Sequence, residues 1–265
     1  MTRGLPMLRV LALTIVLSAV SVPRVHAGEA DVPAIAAASD LKFALEAIAA
    51  EFRSETRRDV KLAFGSSGNF YRQIEQGAPF QLFMSADEAF INKLAVAGRT
   101  EDGGRLYAIG RIVVFARHGA PLDVAAGLAG VEKALAAGRI RRFAIANPEH
   151  APYGRAAEQA LRKAGVWDDI KSRLVLGENV SQAAQFATGG SAEGGIFAYS
   201  LAISPRIAKL GRYILIPEAL HEPLRQRMAL VKGAGRTARV FYRYLQEPRA
   251  REMFERYGFA APAQG

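Results

Sequence analysis

Apolar and polar positions along this chain switch repeatedly between two periods. Short apolar runs of strand character are each followed by a polar turn, then by apolar residues spaced for one face of a helix. Ala34–Ala38 reads as a buried strand, and Leu41, Leu45, Ile48 and Phe52 mark the helix after it. Ser39 or Asp40 stands where that helix would be capped. Residues 60–64 read as the next strand, 69–76 as a helix and 80–84 as a third strand, with a further helix opening at Ser85–Glu88. Strand and helix in alternation predict a parallel sheet covered by helices.

Residues 107–116 read as one long strand. The alternation then resumes, with helices over 125–138, 154–164 and 181–188 and strands over 143–146, 174–176 and 193–199. This predicts a second α/β set over roughly 111–205. Residues 215–217 and 228–232 read as returning strands, and 236–245 and 249–257 as closing helices. The expected division is a leader over 1–27, a first lobe over 28–110, a second lobe over 111–227, and a return to the first over 228–265. Residues 261–265 are expected to fray.

Four of the turns share a chemistry: AAASDL (36–41), FGSSGNF (64–70), NPEHAPYGR (147–155) and GENVSQ (177–182). Each puts hydroxyls or free backbone N–H groups at a helix start, where the first N–H groups lack helical partners and the dipole is positive. That is a ready site for an anion. Taken singly, Ser39 and Ser67 read better as helix caps; the repetition is what points to a ligand. No Lys or Arg lies within the AAASD, FGSSGN, APYG or ENVSQ turns. Each helix start counts as roughly +0.5 charge, so three or four would offset about two negative charges. Donors without acceptors favour a fully deprotonated anion.

The leader narrows the compartment. Arg3 and Arg9 precede an apolar run over 10–22, and Val25-His26-Ala27 fits a small-residue cleavage site. This is the layout of a secretory signal peptide, and the run is short for a membrane anchor. The chain has no cysteine, so an exported form would not depend on disulfides. The formal net charge is +10, with Arg3, Arg9 and Arg24 of the leader contributing to it. No basic run is interleaved with aromatics, which argues against nucleic acid as partner. Arg139-Ile140-Arg141-Arg142 reads as a solvated face.

Other chemistries find little support. His118, His150 and His221 lack metal-ligand spacing and read as surface or loop residues. Tyr242 and Tyr244 fit the closing helix better than an iron site. GSSG (65–68) lacks the G-x-S-x-G elbow, and a hydrolase built on Ser67 has no base at a recognisable position. Nor does G-K-[ST] follow the glycines.

The segments AAASDLKFALEAIAAEF, FGSSGNFYRQIEQGAPFQLFMSAD, NPEHAPYGRAA, GENVSQA and FYRYLQEPRAREMFERYGF stand in one order and spacing. In this the chain resembles the periplasmic molybdate-binding proteins of ABC transporters. The resemblance implies a two-lobe type II periplasmic-binding-protein fold, α/β in class. Each lobe would be a mixed, mostly parallel sheet flanked by helices, with the ligand cleft between the lobes. It implies a monomer that holds molybdate or tungstate without a cofactor or direct metal ligand, and passes it to a membrane permease. Carried over, Ser39 and Ser67 supply hydroxyls, and Asp40, Ser67, Tyr153 and Val180 supply backbone N–H groups. Tyr153 could add its phenol. Some members carry a tyrosine where this chain has Ala198, and Tyr199, one residue on, falls on the opposite strand face. The Asp40 carboxylate is expected to turn from the anion and cap its own helix. Sulfate or phosphate remains the alternative ligand.

Overall fold

The computed structural model describes residues 31–262, with Met1–Thr2. The leader expected over 1–27 and the last three residues of the expected tail lie outside the described residues, the leader's first two apart. The chain from Asp31 onward is one compact unit.

Strand β1 (Ala34–Ala38) passes through a 3-10 turn, Ser39–Leu41, into helix α1 (Lys42–Thr56). β2 (Lys61–Gly65), α2 (Ser67–Glu75), β3 (Phe80–Ser85), α3 (Glu88–Val96) and β4 (Arg105–Gly110) follow. β2 and β3 flank β1 in parallel, as the alternation predicts. Helix α1 earns its place through its apolar stripe: Ala44, Leu45, Ile48 and Phe52 are buried. Each large side chain of that kind contributes about 1.5–3 kcal/mol on burial.

At Arg111 the chain changes sheets. β5 (Ile112–Arg117) begins one residue beyond β4, so the stretch 107–116 is two strands, not one. The apolar pattern runs through the junction because both halves are buried, β4 against β10 and β5 between β8 and β9. The second set comprises α4 (Gly127–Ala136), β6 (Phe143–Ala146), α5 (Pro152–Lys163), α6 (Trp167–Ile170) and β7 (Leu174–Gly177). It continues through α7 (Val180–Gly189), β8 (Gly194–Ala198), α8 (Tyr199–Ala202), α9 (Pro205–Ala208) and β9 (Gly211–Leu215).

The return strand β10 (Leu224–Leu230) starts four residues before the expected Met228 and lies antiparallel between β3 and β4. Residues 224–227 therefore belong to the first sheet rather than the second lobe. Period-two burial explains the shift: Leu224, Gln226 and Met228 face inward while Arg225 is exposed. Helices α10 (Arg236–Tyr244) and α11 (Pro248–Arg256) close the fold, and Phe52 of α1 meets Phe241 and Tyr244 of α10 edge-on at 4.9 and 5.4 Å.

The result is two five-stranded sheets, ordered β2-β1-β3-β10-β4 and β7-β6-β8-β5-β9. Two crossings join them, and they lie side by side, since Leu224 pairs with Gly110. The starts of α2, α5 and α7 and the 3-10 turn face one another across the cleft.

Candidate functional site

Ser39, Asp40, Ser67, Tyr153 and Val180, the residues singled out from sequence, all line one small cavity. Among the described residues, neither lysine nor arginine lines the cavity.

The donors come from how each helix starts. Ser66 caps α2: its Oγ accepts from Asn69 N–H at 3.4 Å. Gly68 N–H donates across the cleft to His150 O at 2.9 Å. That leaves Ser67 N–H, which makes no hydrogen bond among the described residues. In α5, Pro152 at the first position has no N–H, while Gly154 and Arg155 both donate to Ala151 O. Tyr153 N–H is left over in the same sense. In α7, Asn179 Oδ1 accepts from Gln182 N–H at 3.1 Å and Ser181 N–H donates to Ser39 Oγ at 3.2 Å, leaving Val180 N–H. Three helix starts thus each keep one unspent donor at a common cavity.

The two serines differ. Ser67 Oγ accepts from Ala86 N–H at 2.9 Å, and its own hydrogen is committed to no acceptor among the described residues. Ser39 Oγ donates across the cleft to Asn179 Oδ1 at 3.1 Å, and Ser181 Oγ donates back to Ser39 O at 2.9 Å. Neither Ser39 nor Asp40 caps α1, which has no side-chain cap; the 3-10 turn intervenes.

Asp40 behaves differently from expectation. It is 1 % exposed, and its Oδ2 accepts from Tyr153 Oη at 2.9 Å and from Gln226 Nε2 at 2.6 Å. The Tyr153 phenol therefore serves Asp40 and is not directed at the anion position. Burial pushes the Asp40 carboxyl up to about 6, against hydrogen bonds from Gln226, Tyr153 and the backbone N–H groups of Asp40 and Leu41, which favour the charged form. The Tyr153 and Tyr107 phenols stand well above their usual range, through burial first and the Asp40 charge second. Both stay protonated and act as donors.

Tyr199 does not line the cavity. It opens α8, with the Arg111 guanidinium 4.7 Å over its ring and Tyr213 at 5.9 Å. Tyr242 and Tyr244 are buried in α10, as expected. His150 and His221 lie in loop segments, as expected, but are buried there. His150 Nδ1 lies 3.1 Å from Ser66 Oγ and its Nε2 3.4 Å from Glu178, which also accepts from Asn69 Nδ2. No cluster of three metal-ligating side chains occurs among the described residues.

The residues missed from sequence are Gln226, Tyr107, Asn179 and Ser66. Asn179 and Ser66 had a readable signal, each standing just before a helix. Gln226 had one too: a polar residue at an inward position of an otherwise apolar strand face.

The sequence matches the family described as bacterial extracellular solute-binding protein over residues 34–260. The molybdate-binding protein ModA of Azotobacter vinelandii is 35 % identical over 228 residues, covering 85 % of this chain and 88 % of that protein. ModA of Escherichia coli (strain K12) is 34 % identical over 226 residues, covering 84 % and 86 %. Among solved structures, the periplasmic molybdate-binding protein of Azotobacter vinelandii superimposes with a TM-score of 0.79 at 31 % identity, covering 87 % of this chain and 99 % of that one. With the two-sheet architecture and the helix-start cavity, these matches make the chain a member of the bacterial extracellular solute-binding protein family.

Proposed function

We propose that this protein is the periplasmic solute-binding component of an ABC importer, taking molybdate and tungstate and delivering them to a membrane permease. The observation that carries the reading is the convergence of the Ser67 hydroxyl and the unspent N–H groups of Ser67, Tyr153 and Val180 on a cavity without cations. A dianion leaving water needs its hydration replaced by oriented dipoles, and several helix starts supply them. The printed names of the Azotobacter and Escherichia relatives support molybdate as the anion. Sulfate is smaller, so some of its hydrogen bonds in a cavity fitted to molybdate would be long. The donors bind and orient; among the described residues no base stands hydrogen-bonded to Ser67 Oγ, and His150 faces Ser66. Export through a cleaved leader over 1–27 and action as a monomer belong to the same proposal.

Closure traps the anion. Ser39, Asp40 and Ser67 sit on the first sheet's side, Tyr153 and Val180 on the second's, so the full donor set exists only when the lobes meet. A permease can then tell loaded from empty protein by shape. The test is thermal melting with molybdate, tungstate, sulfate and phosphate in parallel. Stabilisation by molybdate and tungstate alone is expected, because only an anion bound to the folded form raises the midpoint. A shift with sulfate or phosphate instead would transfer the site to that anion. No shift with any would overturn the reading.

A further inference from the structure

Asp40 and Tyr153 approach the cavity from opposite lobes, and their side chains meet behind it. Gln226, fully buried on β10, is where they join. Its Nε2 donates to Asp40 Oδ2 at 2.6 Å and to Tyr153 Oη at 3.0 Å. Its Oε1 accepts from Tyr107 Oη at 2.8 Å. Tyr107 Oη also lies 3.4 Å from Ser85 O. A carboxamide has one acceptor and one donor end; the Asp40 carboxylate, which only accepts, takes the donor end and leaves the acceptor end to the Tyr107 hydroxyl. Every member of this set is buried, which makes each of these bonds expensive to leave unmade.

The set also touches the hinge. Gly110 is the last residue before the crossing at Arg111, and it pairs with Leu224, the first residue of the strand that carries Gln226. A Cβ at Gly110 would collide with Tyr153 Oη and lie 2.8 Å from Gln226 Nε2. The glycine clears the space in which the two lobes are joined. Arg111, at the crossing itself, donates twice to Gly258 O, at 3.1 and 2.8 Å, and Ser200 Oγ of the second set donates to Asp40 O at 2.9 Å, so the joint sits among other bonds at the crossing.

Resting on the oxyanion-binding reading above, we propose that Gln226 is a positioning residue: it ties the hinge to the anion cradle by locking the Asp40 and Tyr153 side chains together, and so sets the Tyr153 N–H against the first-lobe donors at the spacing the anion needs. Gln226 itself does not line the cavity. The joint can form only when the lobes are closed, since Tyr153 belongs to α5 of the second set and the other three to the first sheet's side.

The chain has no cysteine, so a spin-label pair can be placed without removing any. Val96 on α3 and Leu176 on β7 are exposed, one in each lobe, and the pair Val96→Cys/Leu176→Cys reports the separation of the lobes. The label-distance distribution is measured without anion and with saturating molybdate, in the labelled parent, with Gln226→Leu and with Tyr107→Phe, beside calorimetric titration of each. Gln226→Leu is expected to show a persistent open population with molybdate and an affinity loss of about tenfold or more, the scale of one to two hydrogen bonds lost from the closed state. Tyr107→Phe, which removes a single hydroxyl, should fall between it and the parent. If Gln226→Leu matches the parent in label distances and binds molybdate within about twofold, the joint is a buried polar contact and the proposal fails. Should the parent bind no oxyanion, the functional reading fails instead. The anion-free distributions then still decide the joint, which requires Gln226→Leu to be more open than the parent.

Discussion

Ser67 and Ser39 are chemically alike and differ in what their hydroxyls already do. Ser67 accepts from Ala86 N–H and keeps its hydrogen free, whereas Ser39 spends its hydrogen on Asn179 across the cleft. An anion gains the first at no cost and must compete for the second. A hydrogen bond to a charged ligand is worth about 1.5–3 kcal/mol, so Ser67→Ala should weaken molybdate by roughly 10- to 100-fold, and Ser39→Ala by less. Calorimetry on both variants checks the order, and equal affinity of Ser67→Ala and the parent would remove Ser67 from the site. Asp40 makes a different prediction, in stability against pH. Its carboxyl titrates near 3.8 in an unfolded chain and at about 6 when buried here. Between those values the native state binds more protons than the unfolded one, so stability contributed by this group falls as pH rises. The difference, about two units, corresponds to roughly 3 kcal/mol in full above pH 6. Melting midpoints of the parent and Asp40→Asn, followed from pH 4 to 7.5, should diverge in the variant's favour as pH rises, by about 6–10 °C for a domain of this size. A gap that stays constant with pH would show that Asp40 keeps an ordinary carboxyl.

At the scale of elements, the turns were readable because each carries a mechanism in its residues. Ser66 before α2, Pro152 inside α5 and Asn179 before α7 are start signals whatever surrounds them. The five cavity residues follow from those starts, with the resemblance selecting among them. What was not readable depends on partners distant in sequence. Residues 107–116 carry one unbroken apolar pattern, and only the pairing of β4 with β10 and of β5 with β8 divides it. The orientation of the Tyr153 phenol is set by Asp40 and by Gln226, the latter on a strand whose first residues the apolar pattern alone places in the other lobe. Asp40 could not cap α1 because the turn Ser39–Leu41 is 3-10 and carries its side chain toward that same glutamine. Gly68 shows how tightly the helix starts must meet. A Cβ there would lie 2.6 Å from His150 O, the acceptor of its own N–H. Gly68→Val should therefore hold α2 away from the second lobe and abolish the molybdate-induced rise in melting temperature. The midpoint without anion should stay within a few degrees of the parent, because the clash lies at the cleft rather than in either core. A normal rise with molybdate would show that the cleft closes without this contact.

The whole molecule is basic, yet its cavity holds no cation, and the two facts act on different steps of binding. The formal net charge of +10, or +7 once Arg3, Arg9 and Arg24 leave with the leader, makes a field that a dianion feels at a distance. The helix starts act only on contact, inside a site from which salt is excluded once the lobes meet. Much of the local charge at the cleft rim is already paired: Arg155 with Asp87, and Arg225 and Arg227 with Glu88 at 2.5 and 2.9 Å. Steering must then come from the sum of charges rather than from one guiding arginine. Screening lengths shrink from about 30 Å at 0.01 M salt to about 8 Å at 0.15 M. Over that range the association rate of molybdate should fall several-fold, while the dissociation rate, governed by opening of the closed lobes, should hardly change. Stopped-flow measurement on the labelled Val96→Cys/Leu176→Cys protein, with the labels exchanged for a fluorescent pair, separates the two rates. Substituting any one rim arginine should leave the slope of the association rate against salt nearly as it was. A dissociation rate that climbs with salt would mean that the closed cavity stays open to solvent ions, and that dipoles alone do not hold the anion there.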